Sequence, residues 1–224
     1  MLITEKLINV LAPHTCIGCG LEGSILCNWC RGEAIFPLPP RCYRCKALSS
    51  DYRVCPKCRS ISQLRHVWVS TEYSGIVKDL VRAFKFERAQ AATVVIANLM
   101  TEVLPFMASD TLLLPIPTAT SRLRQRGYDH ALLLAKAISR KTGLPYQTAL
   151  ARLGQSRQVG AKRDIRLKQL GDSFIVKDAR GIYGREIVLV DDIVTTGGTL
   201  EAAARILKHV GAKSVSAIVF AQKS

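Results

Sequence analysis

Residues 187–199 read Ile-Val-Leu-Val-Asp-Asp-Ile-Val-Thr-Thr-Gly-Gly-Thr, and this order of residue types predicts both local structure and a class of ligand. The four apolar residues Ile187 to Val190 are typical of a buried parallel strand. Two carboxylates follow, and ligands of open α/β sheets bind at the C-terminal ends of strands. A turn rich in threonine and glycine comes next, and Leu200 to Val210 continues with helical spacing. The run therefore predicts a strand, a binding turn and a helix.

The polar residues of this run suit a sugar phosphate. Asp191 and Asp192 can accept hydrogen bonds from the vicinal hydroxyls of a ribose. Glycines let backbone N–H groups approach a phosphate, and threonine hydroxyls add donors at a helix N-terminus that already favours anions. The members of this predicted cradle are Thr195, Thr196, Gly197, Gly198 and Thr199. An ordinary βα turn capped by threonine and glycine is the alternative, whereas a Walker phosphate loop is excluded because no Gly-Lys-Ser/Thr follows.

The same run is similar to the 5-phosphoribosyl-1-pyrophosphate (PRPP) signature of type I phosphoribosyltransferases, in which apolar residues precede Asp-Asp-x-x-Thr-Thr-Gly-x-Thr. Every position of that signature is matched. The resemblance implies PRPP as the ligand, with magnesium bound to its oxygens. If the site is an enzyme's, it implies transfer of phosphoribose to a base. Asp191 and Asp192 are then the candidate catalytic residues, acting first by binding the ligand.

The eight cysteines form four Cys-x-x-Cys pairs within the first 58 residues. Two such knuckles complete a closed structural zinc site, and no export signal favours disulfides instead. A thioredoxin-like redox pair would explain one motif and not four. Seven residues separate Cys19 from Cys27 and nine separate Cys45 from Cys55, spacings that fit ribbon hairpins. We therefore predict two zinc ions, with a cross-braced pairing or one empty site as alternatives. The predicted ligands are Cys16, Cys19, Cys27 and Cys30 for one ion, and Cys42, Cys45, Cys55 and Cys58 for the other.

The chain length of 224 residues allows a domain of about 150 residues and a smaller one. We predict a short N-terminal helix and a double zinc ribbon over 1–62, followed by a phosphoribosyltransferase-like domain over 63–224. Residues 1–12 are too few and too polar for a signal peptide and suit an amphipathic helix that packs on its own domain. No apolar run of about 18 residues predicts a membrane span. The predicted location is the cytoplasm, with peripheral contact at the inner membrane as the alternative.

Strand and helix patterns alternate after the last cysteine. Repeated βα units imply an α/β fold, a mostly parallel sheet of the type I phosphoribosyltransferase kind with helices on both faces. The predicted strands are 66–71, 111–117, 145–151, 173–176, 187–190 and 214–220, and the predicted helices are 75–86, 91–104, 131–141 and 200–210.

PRPP carries two phosphate groups, so a second anion-binding element is needed. The loop after the strand predicted over 111–117 should open at the same sheet edge as the acidic pair. The candidates on that loop are Thr118, Arg122, Arg124 and Arg126. The arginines suit a pyrophosphate because a guanidinium binds phosphate oxygens in pairs. Arg126 is the preferred candidate, and a solvated basic face is the alternative. Lys85 either reaches the pyrophosphate or stabilises the C-terminus of its helix.

Residues 152–171 are basic and are interrupted by Gly154 and Gly160. The resemblance to phosphoribosyltransferases places a mobile loop here that closes over the substrate. Its basic side chains would complete such a lid or contact a nucleic-acid backbone, and both interpretations stay open. They are Arg157, Lys162, Arg163 and Arg166.

The net charge of +15 is larger than a small-molecule enzyme needs. Two zinc ions with four thiolates each would reduce it to about +11. Basic residues on the second predicted ribbon alternate with Tyr43 and Tyr52, a pattern that suits single-stranded nucleic acid through phosphate contacts and base stacking. A basic surface that balances the thiolates is the alternative. These basic residues are Arg41, Arg44, Lys46, Arg53, Lys57 and Arg59.

A double zinc ribbon followed by a phosphoribosyltransferase-like domain resembles the ComF family of bacterial competence proteins. Pro115-Ile-Pro117 and the stretch 122–130 are similar to the family's Pro-x-Pro and Arg-Gly-Phe-Asn-Gln motifs, and stretches 83–86 and 158–174 also correspond. The chain departs from the family pattern at Asp129-His130, where the family usually has Asn-Gln, and at Gln169, where it usually has Asn.

The ComF resemblance implies that the chain handles single-stranded DNA during natural transformation, with other DNA-uptake proteins at the inner membrane as partners. We favour a DNA-uptake accessory protein that retains a PRPP site. A phosphoribosyltransferase acting on an unidentified base, and a regulator that senses PRPP without chemistry, are the alternatives.

Overall fold

A computed structural model describes residues 14–86, 89–152 and 174–223 of the chain. Its centre is a sheet of four parallel strands in the order β1-β6-β5-β2. These strands are β1 (Val67–Glu72), β2 (Leu112–Pro115), β5 (Glu186–Val194) and β6 (Ser214–Gln222).

The sheet is covered on both faces, as the predicted α/β class requires. Residues 215–222 of β6 are all buried, although successive side chains of a strand point to opposite faces. Helices α3 (Gly75–Phe86), α4 (Ala89–Val103) and α6 (His130–Thr142) pack against one another, and the last two also contact strands of the sheet. Helix α7 (Gly198–His209) packs against β6. The predicted fold class is confirmed.

Two segments differ from the sequence prediction. The region predicted as a strand over 145–151 makes one parallel bridge, from Tyr146 to Leu113, and then forms β3 (Leu150–Arg152). Strand β3 pairs antiparallel with β4 (Phe174–Val176) as a separate two-stranded sheet.

The polar turn predicted after β2 contains a short helix, α5 (Thr120–Arg126). Gly127 ends this helix with a φ of 79°, a left-handed conformation that glycine adopts without strain. The arginines predicted on a loop therefore lie on a helix.

The cysteine-rich part contains helices α1 (Asn28–Ala34) and α2 (Pro56–Arg59) and a 3-10 turn at Ser50–Tyr52. Its buried residues belong to the same hydrophobic core as the sheet. The indole of Trp68, on β1, donates to Asp51 at 3.2 Å. The ribbons are thus packed on the α/β part and not hinged away from it.

Several predicted features lie outside the described residues. They are the helix over 1–12, the lid residues Arg157, Lys162, Arg163 and Arg166, and Gln169. Within the three described ranges, none of the helices has the length and apolar character needed to cross a bilayer.

Candidate functional site

The signature run forms the strand, turn and helix that its sequence predicts. Strand β5 carries Asp191 and Asp192 and extends two residues beyond them, to Val194. Gly197 follows with a φ of 80°, and α7 begins at Gly198. The other cradle residues, Thr195, Thr196, Gly198 and Thr199, are exposed. The donors of the turn are therefore open to a ligand at the N-terminus of α7.

The two carboxylates of the pair have different surroundings. Asp192 is buried, and its carboxylate forms an ion pair with the ammonium of Lys85 from the last turn of α3. Its other oxygen lies 3.6 Å from Nε2 of His130. Although burial acts in the opposite direction, the adjacent imidazole of His130 and the charge of Lys85 hold the pKa of Asp192 below its usual range.

Asp191 is half-buried, and burial together with the charge of Asp192 raises its pKa well above the usual range. One of its oxygens accepts the backbone N–H of Asp192 at 2.9 Å. The pair thus combines one firmly ionised carboxylate with one that retains a proton more readily. Lys85 contacts the acidic pair directly from the last turn of α3, and its contact with a pyrophosphate stays a prediction.

His130 is a site residue that sequence reasoning did not identify. The residue is 7% exposed, and its Nδ1 lies 3.4 Å from the guanidinium of Arg126 and 3.2 Å from Oγ1 of Thr118. Because a guanidinium can only donate, Nδ1 is the acceptor and the ring hydrogen lies on Nε2, toward Asp192. The available signal was the departure from the family pattern at Asp129-His130.

Asp129 fixes the start of α6 and so the position of His130. Its carboxylate accepts the backbone N–H of Leu132 at 3.2 Å, as an N-cap residue does, and the hydroxyl of Thr118 at 3.0 Å. The hydroxyl of Tyr128 donates to the carbonyl of Phe84 at 2.6 Å. These contacts join the loop before α6 to the end of α3.

The structure separates the predicted arginines. Arg126 is half-buried, lies beside His130 and stacks with its guanidinium 4.8 Å from the ring centre of Phe86. Arg122 and Arg124 are exposed on α5. Of the three, Arg126 is therefore the one joined to the acidic pair, through His130.

The eight cysteines form two clusters, in the grouping that the ribbon spacing predicts. Cys16, Cys19, Cys27 and Cys30 form the first cluster, and Cys42, Cys45, Cys55 and Cys58 form the second. All eight are free thiols. The sulfurs of Cys19 and Cys27 are 3.8 Å apart, and those of Cys45 and Cys55 are 3.5 Å apart. A tetrahedron with zinc–sulfur bonds of about 2.3 Å has edges of about 3.8 Å, so both clusters fit zinc.

The protonation of the thiols also favours a bound cation. Burial opposes ionisation of Cys16, but the backbone N–H groups of its knuckle lower its pKa to about 6. Cys42 behaves in the same way, with a pKa lowered to about 7. Burial and the neighbouring sulfurs raise the pKa of Cys30 and of Cys58 to about 12. A divalent cation inside each cluster would relieve this repulsion between thiolates.

The structure contradicts one element of the nucleic-acid interpretation. Tyr43 and Tyr52 are 1% and 7% exposed, so their rings cannot stack on bases. The exposed basic residues of the second ribbon are Arg44, Arg53, Lys57 and Arg59, whereas Arg41 and Lys46 are half-buried. Any contact with nucleic acid at this ribbon would therefore depend on charge.

Comparisons with known proteins agree with this geometry. The family described as "Phosphoribosyl transferase domain" matches residues 129–224. Competence protein ComFC of Bacillus subtilis (strain 168) is 28% identical over 231 residues, which cover 90% of this chain and 92% of that protein. DNA utilization protein YhgH of Escherichia coli (strain K12) is 26% identical over 193 residues, covering 76% of this chain and 84% of its own length.

Solved structures give a weaker likeness. The allosteric regulatory enzyme of purine biosynthesis superposes with a TM-score of 0.45 at 14% sequence identity. The superposition covers 61% of this chain and 29% of that longer chain.

Proposed function

We propose that this chain, which is similar to competence protein ComFC and to DNA utilization protein YhgH and carries a phosphoribosyltransferase-like domain, is a DNA-uptake accessory protein of the ComF family. In this proposal it binds single-stranded DNA and holds a PRPP-type ligand at the acidic pair. The observation that carries the ligand proposal is the convergence of Asp191, Asp192, Lys85 and Arg126 at one edge of the sheet, beside the Thr-Gly turn.

Each part of PRPP has a matching group in this arrangement. The ribose hydroxyls would donate to Asp191, which is the less deeply buried carboxylate of the pair. The 5-phosphate would accept from the exposed turn before α7, where the backbone N–H groups and the helix dipole favour an anion. Lys85, in contact with Asp192, and Arg126, beside His130, would face the pyrophosphate.

Magnesium fits the chemistry of such a ligand, because it binds carboxylate and phosphate oxygens together. Asp191 and Asp192 would supply carboxylate oxygens, which lie within 4.8 Å of each other. When bound with PRPP, magnesium would neutralise the pyrophosphate. The residues of the chain would orient the ribose and keep Asp192 ionised through Lys85 and His130.

The DNA-binding part of the proposal rests on charge. The names of the two relatives, a competence protein and a DNA utilization protein, support a role with DNA. The net charge is +15, and exposed basic residues lie on the second ribbon. Arg44 of that ribbon lies 3.5 Å from Glu201 on α7, so the ribbon contacts the helix that follows the phosphate-binding turn. A strand held along the ribbon would approach the acidic pair.

The test is a titration of the zinc-loaded protein with fluorescent single-stranded DNA at several salt concentrations. We expect tight, salt-dependent binding, because each phosphate contact with a single strand contributes about 0.7 to the slope of log K against log salt. Replacing both Arg53 and Lys57 by glutamine should lower that slope by about 1.4. Arg140→Gln is the control, because Arg140 is exposed in the last turn of α6 and lies outside the second ribbon.

Repeating the titration with magnesium and PRPP tests the ligand. Competition between PRPP and DNA would support a strand that reaches the acidic pair. Binding of PRPP without any DNA binding would reject the DNA-uptake role and favour a transferase or a sensor. Release of pyrophosphate in the presence of candidate bases would then identify the transferase.

A further inference from the structure

A buried carboxylate joins the phosphate-binding turn to the second cysteine cluster. Glu201 lies in the first turn of α7 and is 8% exposed. Its Oε1 accepts from the hydroxyl of Tyr43 and, at 2.5 Å, from that of Ser62. Its Oε2 accepts the backbone N–H of Gln63 at 2.9 Å. The sequence contains no signal for this network, because its members come from the ribbon, the segment after it and a distant helix.

The phenol of Tyr43 stays a donor in this network. Burial and the carboxylate of Glu201 raise its pKa to about 12. The guanidinium of Arg44 lies 3.5 Å from the same carboxylate oxygen and partly balances its charge. A buried carboxylate with several donors is stabilised, and removal of one donor leaves it undersatisfied.

The ring of Tyr43 also packs directly against the phosphate-binding turn. A methyl group added at Gly197 would lie 2.3 Å from a carbon of that ring, so only glycine allows this approach. The backbone carbonyl of Tyr43 accepts from the side-chain amide of Gln222 at 2.8 Å, which ties it to the end of β6. Tyr43 is thus fixed to the sheet, to α7 and to the turn.

The two cysteine clusters differ in what they support. Cys42 belongs to the second cluster, and Tyr43 is the next residue in the chain. The second cluster is therefore covalently linked to Tyr43, the residue that packs against the turn. Gly18, in the first cluster's knuckle, faces Ile76 on α3, and Arg31, just after Cys30, forms an ion pair with Glu102 on α4. These contacts of the first cluster's segment lie at the start of α3 and the end of α4, whereas Lys85 contacts Asp192 from the other end of α3.

We propose that Tyr43 and Glu201 are positioning residues that hold the phosphate-binding turn in its binding shape, so that the second cysteine cluster supports ligand affinity and the first does not. As far as it concerns affinity, this inference rests on the proposed PRPP site. The shape of the turn can be measured without any ligand, which keeps the two proposals separable.

The test compares two buried tyrosines. Tyr43→Phe removes the donor to Glu201, and Tyr52→Phe removes a donor of the same kind, which reaches the carbonyl of Leu38 at 2.6 Å. PRPP affinity with magnesium is measured by calorimetry on zinc-loaded protein. We expect Tyr43→Phe to weaken binding by about tenfold, the effect of one hydrogen bond to a charged group. Tyr52→Phe should change it by less than about twofold, because its site is independent.

A second pair of variants tests the clusters themselves. Cys19→Ser and Cys45→Ser each remove an exposed thiol, one from each cluster. Only Cys45→Ser should weaken PRPP binding. The inference would be overturned if Tyr43→Phe and Tyr52→Phe lost equal PRPP affinity, or if Cys19→Ser and Cys45→Ser did. All four variants are measured well below their unfolding temperatures.

Hydrogen exchange of the turn's amides, without ligand, decides the matter independently of affinity. In Tyr43→Phe the amides of Gly197 and Gly198 should exchange faster than in the unmodified protein, while Tyr52→Phe leaves them unchanged. Unchanged exchange in Tyr43→Phe would refute the positioning role. If the unmodified protein does not bind PRPP but exchange responds as expected, the proposed ligand is wrong and the positioning role stands.

Discussion

Single substitutions of the acidic pair should change stability in opposite directions. Asp192→Asn leaves the ammonium of Lys85 without its partner, at a place where the side chains of Asp192 and Lys85 are 6% and 18% exposed. Asp191→Asn removes a half-buried carboxyl whose ionised form is disfavoured by burial and by the charge of Asp192. An amide oxygen at position 191 can still accept the N–H of Asp192, so the local backbone contact survives.

The expected magnitudes follow from the burial of each group. Breaking a buried ion pair by removing one partner costs about 3–5 kcal/mol, and the partial exposure of Lys85 places Asp192→Asn near about 3 kcal/mol. For a chain of this size that is a fall of roughly 6–12 °C in the unfolding midpoint. Asp191→Asn should instead raise stability by about 1 kcal/mol, or roughly 2–4 °C, since relief of a strained functional charge commonly stabilises by this amount.

The pH dependence gives each effect its own signature. The folded-state pKa of Asp191 is raised, so the unmodified protein loses stability as pH rises from the unfolded value of about 3.9 through that folded pKa. The advantage of Asp191→Asn therefore grows over that interval. The pKa of Asp192 is lowered, so its stabilisation is fully present above about 3.9 and is lost only as pH falls through the folded value. The cost of Asp192→Asn should decrease as pH rises above about 5, because the substitution also removes the charge that raises the pKa of Asp191.

Calorimetric unfolding of the zinc-loaded protein without ligand, repeated across this pH range, measures both changes. Each variant should also lose PRPP binding, which separates the ligand role from the stability effect. Equal destabilisation by the two variants, or greater destabilisation by Asp191→Asn, would refute the assignment of different charge states to Asp191 and Asp192.

Three further predictions concern the turn, the metal and the arginines. Gly197→Ala should destabilise the chain by more than about 2 kcal/mol, because the added methyl group clashes with Tyr43 and the residue has a left-handed φ. Gly143→Ala is the control, since Gly143 also has a left-handed φ, of 76°, but faces open space. It should cost only about 1–2 kcal/mol, and a denaturant titration measures both changes. Chelation of zinc should lower the unfolding temperature of the whole chain in one transition, because the ribbons and the sheet share a hydrophobic core. A far-UV circular-dichroism melt in which the α/β part still unfolds at its original temperature would contradict this. Arg126→Ala should weaken PRPP binding by about tenfold while Arg122→Ala, on the exposed side of α5, changes it little in the same calorimetric titration.

The local elements of the site were predictable because their signals are contiguous in the sequence. The apolar run, the acidic pair and the Thr-Gly turn of residues 187–199 specify a strand, a turn and a helix, and the structure has them in that order. The grouping of the cysteines follows from hairpin spacing in the same way. Helix α5 was missed because Leu123 is its one apolar residue, which leaves no periodicity to detect. The glycine that ends it was the available signal.

The contacts that give the site its chemistry were not predictable from local patterns. Lys85, His130 and Asp192 come from three elements that are distant in sequence, and only the fold brings them together. Tyr43 illustrates the opposite error, since alternation with basic residues suggested an exposed stacking face and tertiary packing buries the ring. A pattern identifies which residues alternate, but burial depends on which surface a neighbouring element covers.

The charge arrangement explains how an acidic pair can belong to a site for an anionic ligand. Asp192 is neutralised by Lys85, and the raised pKa of Asp191 disfavours a second full negative charge at the same place. Arg126 adds a cation beside His130, and none of the described ion pairs includes Arg126. The described residues thus present a site in which positive charge balances or exceeds negative charge, although two carboxylates line it. The carboxylates can therefore accept hydrogen bonds from the hydroxyls of a phosphorylated sugar without strongly repelling its phosphates. The cost to folding stability lies in Asp191, whose removal should stabilise the protein and abolish ligand binding.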